Sequence, residues 1–376
     1  MLNLQRVGAV FFKQLPAETE NRTFKEVIHM YTANAQLLEE FNKEHEYLKT
    51  KLDLGREILW LTKDECIQAG PDVEETLELV KGAMIAHGRN EYEMPAKIGI
   101  HPYEDVFFHA MPAYVPGNLA CGCKWIECYP RNPKDYGLPQ TTGLQIMNDI
   151  VTGVPIAVMD CTWLTAMRTP AVTALAAALH PHARTFGMFG CGVQEIGHVR
   201  FAAKALKALK ELEKIYIYDK FPESMDRLIE QVADEVKLPI IKASCPEEVV
   251  KNCEALSSAA FIVREPMKLV RKEWIRKGQT ILPCDLNTFW DPRVALTAST
   301  LWTASTSTSC LPVWAISPTD CRRSPVRPAR YWPVSPRAAP ARMRSLCAAI
   351  SASPPMTSPW DRQSSPRLWK WASAPG

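Results

Sequence analysis

Between Thr185 and Asp219 the chain changes hydrophobic rhythm three times. Residues 185–189 (TFGMF) are a short apolar run suited to a buried strand, broken by Gly190-Cys191-Gly192. From Val193 to Leu212 the apolar positions are Val193, Ile196, Val199, Ala203, Leu206 and Leu209, the spacing of one helix face. A second apolar run, Lys214 to Tyr218, ends on Asp219. The remaining chain divides by the same criterion. Residues 17–50 are charged and rich in helix formers, with apolar residues at Phe24, Val27, Ile28, Tyr31, Leu37, Leu38 and Phe41, which predicts one or two amphipathic helices. Leu59 to Thr62 reads as a strand, and Asp72 to Asn90 as a helix with acids in its first turn. From Pro95 to Asp160, short apolar runs are separated by Pro, Gly and Asn turns, the pattern of an antiparallel sheet. Thr165 to Leu179 is a helix of small residues. Ile240-Ile241, Phe261 to Val263 and Thr280 to Leu282 then predict further buried strands.

Strand, glycine turn, helix, strand and acid is the order of a dinucleotide-binding unit. Glycines at 190 and 192 allow the backbone to approach a diphosphate, and the helix beginning at Val193 and Gln194 aims its free N–H groups at that anion. Asp219 stands where an acid accepts hydrogen bonds from the adenosine ribose hydroxyls. A 2′-phosphate would be repelled there, so NAD is expected and NADP disfavoured, although Lys220 follows directly. The third glycine of the usual pattern is missing, and Glu195 takes its place. A tight turn with a solvated acid is the plainer reading of the same residues, but the flanking strands and helix weigh against it.

Composition narrows the class. The 376 residues suffice for two domains, and 47% hydrophobic with 23% charged residues is ordinary for a globular protein. The formal charge of +3 and the lack of basic, aromatic-interleaved runs argue against a nucleic-acid partner. No apolar run is long enough to span a membrane and no signal peptide is recognisable, so a cytoplasmic protein is expected. Of the 12 cysteines, only Cys121, Cys123 and Cys128 cluster. Their spacing does not match a zinc site, and Cys121 and Cys123 are expected on one strand face as buried small apolar residues. No metal is expected.

Lys97, Lys124 and Arg168 are cations in small-residue or apolar settings, the kind of fixed charge that a carboxylate ligand needs. Asp285, following the strand at 280–282, is placed to act as a general base.

The chain resembles the ornithine cyclodeaminase / mu-crystallin family through MPAY at 111–114, GCKWIECYPRN at 122–132, GLP at 137–139 and TGVPIAVMD at 152–160. TAMRTPAV at 165–172, GCGVQ at 190–194 and IYIYD at 215–219 extend the match, in the family's order, over about residues 58–293. The resemblance implies an α/β protein with a Rossmann-type NAD-binding domain beside an α+β substrate and dimerisation domain, used as a homodimer. The expected layout is a helical N-terminal extension at 1–57, the substrate domain at 58–180 and the NAD-binding domain at 181–294. It also implies that Lys97, Lys124 and Arg168 contact the carboxylate of a small amino acid or its surroundings, that His109 is at the substrate site, where it can hydrogen-bond an amine, and that Asp285 is catalytic. Gly190, Gly192, Val193, Gln194, Asp219 and Arg168 would line the cofactor. The family archetype is an ammonia-lyase that converts ornithine to proline through an imine, lending a hydride to NAD and taking it back. A glutamate that would receive the distal amine is replaced here by His109, and the Pro-Gly-Lys after the aspartate by Asn287, Thr288 and Phe289. The alternatives are an amino- or imino-acid dehydrogenase, a relative of the family's tyramine oxidase component, or a mu-crystallin-like binding protein.

After Val294 the composition changes. No Glu follows Glu273, Asp320 and Asp361 are the only acids, and Trp302, Trp314, Trp332, Trp360, Trp369 and Trp371 make up six of the chain's 11 tryptophans. A disordered Pro/Ser/Arg-rich segment is the ordinary reading, but it seldom carries so much tryptophan. Because Trp and Met each have one codon, Trp302-Thr303 encodes Asp in the neighbouring frame, Trp314-Ala315 Gly, Met356-Thr357 Asp and Trp369-Lys370 Glu. Trp332-Pro333 gives Ala, and Trp360-Asp361 and Trp371-Ala372 give Gly; these are largely the residue types missing from 295–376. The segment is read as an irregular tail translated out of frame, which the coding DNA would establish.

Overall fold

The computed structural model describes residues 35–302 and 312–315, apart from 90, 96, 104, 180–182, 210–211, 261–266, 286–287, 292 and 295–298. Helix α1 (Ala35–Lys49) comes first, with Phe41 and Leu48 buried and His45 Nδ1 donating to Asp149 Oδ2 at 3.0 Å. Residues 17–34 of the expected amphipathic segment lie outside the described residues.

A six-stranded sheet follows, built from β1 (Leu59–Leu61), β2 (Ile98–Ile100), β3 (Phe107–Val115), β4 (Ala120–Cys128), β5 (Thr141–Asn148) and β6 (Pro155–Asp160). Its order is β1-β6-β5-β4-β3-β2, antiparallel throughout except that β1 runs parallel to β6. Helices α2 (Lys63–Ala69) and α3 (Val73–Arg89) connect β1 to β2, and the one-turn α4 (Asn132–Asp135) lies between β4 and β5. The antiparallel expectation for 95–160 therefore holds, with the parallel edge strand added.

Helix α5 (Thr162–Ala177) leads to a seven-stranded sheet of order β12-β13-β11-β10-β7-β8-β9. Its strands are β7 (Thr185–Phe189), β8 (Lys214–Tyr218), β9 (Ile240–Lys242), β10 (Ala255–Ser258), β11 (Thr280–Pro283), β12 (Ser299–Trp302) and β13 (Pro312–Ala315). Helices α6 (Val193–Leu209), α7 (Pro222–Val232) and α8 (Pro246–Asn252) link the first of them. Strands β7 to β11 are parallel, and β7 sits between β8 and β10, so strand order reverses at β7/β10. In doubly wound sheets such a reversal marks the place, at the carboxyl ends of the strands, where ligands bind. Phe186, Met188, Ile215, Ile217, Leu256 and Ile281 are buried on both faces of this sheet, which is why these strands read as unbroken apolar runs.

Two expectations need correction. The strand sought at 261–263 lies upstream, at Ala255–Ser258, while 261–266 lie outside the described residues. Serines at 257 and 258 broke the apolar run, yet both are completely buried, their hydroxyls bonded to Leu282 O and Asp285 Oδ1. The tail is not irregular throughout, because β12 and β13 pair antiparallel with each other and β13 with β11. Most of 295–376 lies outside the described residues. Among the described residues, no helix is long and apolar enough to cross a membrane.

Candidate functional site

Gly190 has φ +92°, a left-handed conformation that disfavours a side chain, and the turn it makes joins β7 to α6. Cys191 N donates to Asp219 Oδ2 at 2.9 Å, and Phe221 N donates to Asp219 Oδ1 at 2.9 Å. Asp219 thus ties the glycine turn to the start of α7. Gly192 and Val193 remain exposed at the mouth of the turn, where α6 begins.

Glu195 departs from the pattern in a specific way. It folds back over the turn, accepting from Gly192 N at 3.0 Å, and a Cβ on Gly190 would run into its carboxyl. Only 5% of Glu195 is exposed, and that burial, with Asp219 and Asp285 nearby, pushes its pKa up to about 8. The position that usually needs glycine for close helix packing here carries a buried acid.

Behind the turn, α6 is clamped to α5. Gly197 lies against Pro170 and Ala166 O, and the wholly buried His198 pairs Nδ1 with Gln194 O (2.7 Å) and Nε2 with Thr173 Oγ1 (3.0 Å). Burial holds His198 down to about 4, so it is neutral and structural. Gln194 Nε2 donates to Thr165 O at 3.4 Å, while its Oε1 is buried without a partner among the described residues. The clamp fixes the helix that carries Arg168 relative to the glycine turn.

The cations come from the first sheet and α5. Lys124 is on β4, opposite Met111 on β3 and Gln145 on β5, and its Nζ reaches Thr165 Oγ1 on α5 at 3.5 Å. It is 6% exposed, and burial together with the charge of Arg168 pulls its pKa down to about 7. Burial also lowers the pKa of Arg168, which feels Cys284 and Cys161. His109 on β3 shares the Lys124 face, stacks on Phe107 at 4.1 Å, and is held down to about 4 by burial, Lys97, His101 and Lys124. Lys97 just precedes β2, at the edge of this group.

The acid comes from the second sheet. Asp285 follows β11 at its carboxyl end and is 2% exposed. Its Oδ1 accepts from Ser258 Oγ at 2.8 Å, Ser258 Oγ in turn accepts from Trp290 Nε1 at 2.6 Å, and Oδ2 is buried without a partner among the described residues. Burial pushes Asp285 up to about 6. Cys284 beside it is driven up to about 12 and is coupled to Arg168, Asp285 and Glu195. A chain of electrostatic neighbours therefore runs from Lys97 through His109, Lys124 and Arg168 to Asp285, Glu195 and Asp219.

The expected site residues Lys97, His109, Lys124, Arg168 and Asp285 lie along this belt, and Gly190, Gly192, Val193, Gln194 and Asp219 at its glycine turn. Sequence reasoning missed Thr165, Ser258 and Trp290, which hold the charged groups in place. Ser258 had one legible signal, a small polar residue closing a parallel strand. The cysteine expectation needs adjustment. Cys121 and Cys123 do share a face of β4 but are half-buried, and Cys128 is on the opposite face. The dinucleotide fits what is present: a glycine turn whose exposed residues open a long helix, an acid at 219, and two orphaned buried oxygens, Gln194 Oε1 and Asp285 Oδ2.

The chain is 30% identical over 228 residues to the nodulation efficiency protein NfeD of Rhizobium meliloti, covering 60% of this chain and 68% of that protein. It is 31% identical over 228 residues to alanine dehydrogenase of Archaeoglobus fulgidus, covering 60% and 66% respectively, so it spans about two thirds of the length of these relatives. Among solved structures, Thermococcus litoralis Δ1-pyrroline-2-carboxylate reductase in complex with NADH and L-proline matches with a TM-score of 0.57 and 25% identity, over 64% of this chain and 74% of that one. An archaeal alanine dehydrogenase dimer with bound NAD matches at TM-score 0.54 and 27% identity, over 64% and 73%. The sequence profile of the ornithine cyclodeaminase/mu-crystallin family matches residues 62–286, more than half of the chain. By that match, and by the order of elements that builds the site, the chain belongs to the ornithine cyclodeaminase/mu-crystallin family.

Proposed function

We propose that this chain binds NAD at the Gly190–Gly192 turn and uses it for redox chemistry at the α-carbon of a small amino or imino acid. The observation that carries the reading is the placing of a buried lysine, Lys124, and a half-buried arginine, Arg168, beside a buried, half-satisfied carboxyl, Asp285, at the carboxyl end of the parallel sheet. Lys124 and Arg168 would grip the substrate carboxylate, the guanidinium in a two-point fork. Gly190, Gly192, Val193, Gln194 and Asp219 would hold the dinucleotide, with Arg168 between it and the substrate. The nicotinamide would supply the hydride acceptor and donor. Asp285, poised near neutrality, would take a proton from the substrate's ammonium or from an attacking water. Lys97 is assigned to the outer rim of the carboxylate site.

Proteins named ornithine cyclodeaminase, alanine dehydrogenase and Δ1-pyrroline-2-carboxylate reductase are similar to this chain, which supports a small amino or imino acid as substrate. Neutral His109 supplies no negative charge for a distal ammonium. This favours a dehydrogenase or imine reductase over release of proline from ornithine. The test is purified protein with NAD and a panel of amino acids, followed by absorbance of NADH and by ammonia release. NADH accumulating with ammonia from an amino acid without a distal amine supports the dehydrogenase. Proline from ornithine without NADH accumulation identifies the cyclodeaminase. Ligand binding without turnover identifies a mu-crystallin-like binder and ends the proposal of an enzyme.

We also propose a homodimer. On the sheet face opposite Lys124, Trp60, Ile98, Ile100, Trp125, Leu144 and Ile146 are all exposed, Trp60 by 62% and Ile98 by 70%. A contiguous apolar face of this kind marks an interaction surface.

A further inference from the structure

Glu195 is a buried acid in a place built for an anion. Its carboxyl occupies the concavity of the glycine turn, bonded to Gly192 N at 3.0 Å, and its own amide also points at it. This is one half of a capping box, the third helical residue returning to the N-cap amide, with no N-cap side chain to reciprocate. Here the cap is placed within the proposed phosphate site. Asp219 holds the next amide of the turn, at Cys191. Two backbone donors of the turn are therefore already held by the protein's own carboxyls, leaving those of Val193 and Gln194 at the mouth.

A diphosphate entering here brings negative charge against Glu195, which cannot move into solvent without vacating the space beside Gly190 that shapes the turn. The groups facing Glu195 do not offset that charge. Asp219 at the end of β8 and Asp285 beyond β11 both act against its ionisation, and Cys191 and Cys284 are neutral thiols. Arg168 and Arg227 act on Cys284 and Cys191.

We propose that Glu195 is a cofactor-positioning residue that enters the dinucleotide complex as the neutral acid, so that NAD binding to this chain takes up a proton. The inference rests on the NAD-binding reading above and concerns how the same turn recognises its ligand. In the free protein the acid, with its pKa near 8, is about half ionised at that pH. Linkage then requires uptake of about half a proton at pH 8 and about tenfold weaker binding at pH 9 than below pH 7.

The test is calorimetric titration of NAD into the full chain at pH 8, in two buffers of different ionisation enthalpy, with Glu195→Gln and Glu195→Ala alongside. Wild type is expected to take up about half a proton. Glu195→Gln, which keeps the shape and the bond to Gly192, is expected to take up none and to bind with less than twofold variation from pH 7 to 9. Glu195→Ala is expected to bind at least tenfold more weakly than Glu195→Gln at pH 7, because the turn loses its support. Lys124 titrates in the same range but is present in all three proteins, so its part cancels in the comparison. Equal proton uptake in wild type and Glu195→Gln overturns the proposal, as does zero uptake by wild type alone, which needs no variant to fold. Absence of any binding heat from NAD in wild type instead overturns the nucleotide reading beneath it.

Discussion

Asp285→Asn should reveal, in one variant, both the cost of keeping an acid buried and the use made of it. The folded protein raises Asp285 from 3.8 to about 6, roughly two pKa units. At about 1.36 kcal/mol per unit, the ionised form is disfavoured by on the order of 3 kcal/mol. The sign follows from proton counting. Below pH 4 both folded and unfolded states are protonated and nothing is lost. Between pH 4 and 6 the unfolded state ionises first, so stability falls as pH rises, and above pH 6 the whole cost is present. Asparagine cannot ionise, so that slope disappears. The amide also places an unpaired N–H₂ where Oδ2 was, a penalty of about 1–3 kcal/mol that does not change with pH. The informative quantity is therefore the difference in unfolding free energy between variant and wild type as a function of pH. It should shift in favour of Asp285→Asn by about 2–3 kcal/mol between pH 4 and 7.5. Urea unfolding followed by tryptophan fluorescence measures it, since the buried Trp290 is linked to Asp285 through Ser258 by two hydrogen bonds. Carboxylates held down by their partners, such as Asp149 and Asp291, shape the pH profile of both proteins equally and cancel. Turnover of the amino-acid substrate should fall at least about 100-fold in the same variant. A pH-independent difference would refute the reasoning, because it would mean that Asp285 carries no burial cost.

Three further outcomes follow from the same geometry. Lys124 is cationic only below about pH 7, so KM for a carboxylate substrate should rise by up to about tenfold per pH unit above that point, whereas Lys124→Gln should bind weakly with no such dependence. Steady-state KM from pH 6 to 8.5 checks this. A Cβ on Gly197 would stand 2.7 Å from Pro170 Cγ and 2.9 Å from Ala166 O, so Gly197→Ala should force α5 and α6 apart and lower stability by about 1–3 kcal/mol, measured by urea unfolding. Light scattering should find wild type at twice the chain mass and Trp125→Glu shifted towards the single chain, since Trp125 is at the middle of the exposed apolar face.

Most elements of the parallel sheet were legible because burial on both faces leaves largely apolar strands, and because Gly190 and Gly192 mark a turn that side chains would obstruct. Strand limits at Thr185–Phe189 and Lys214–Tyr218 follow directly from that contrast. Strand β10 escaped notice since its serines are buried with partners supplied by β11 and Asp285, and such satisfaction by distant residues leaves no local trace. The same cause hid Thr165 and Trp290. Lys124, Arg168 and Asp285 stood out as charges among small and apolar residues, but that they converge depends on α5 spanning the two sheets. Glu195 was visible only as a missing glycine. That its carboxyl turns back on Gly192 depends on the helix starting at Val193, which places residue 195 one turn in and facing the loop.

Every role proposed for these residues requires that the Gly190–Gly192 turn hold a nicotinamide dinucleotide. Titrating NADH into the purified chain, with tryptophan excitation and NADH emission, tests it directly. Saturable energy transfer with one NADH per chain, displaced by NAD and strongly weakened in Asp219→Arg, is the predicted result. Emission that grows linearly with added NADH and is unmoved by NAD would contradict it.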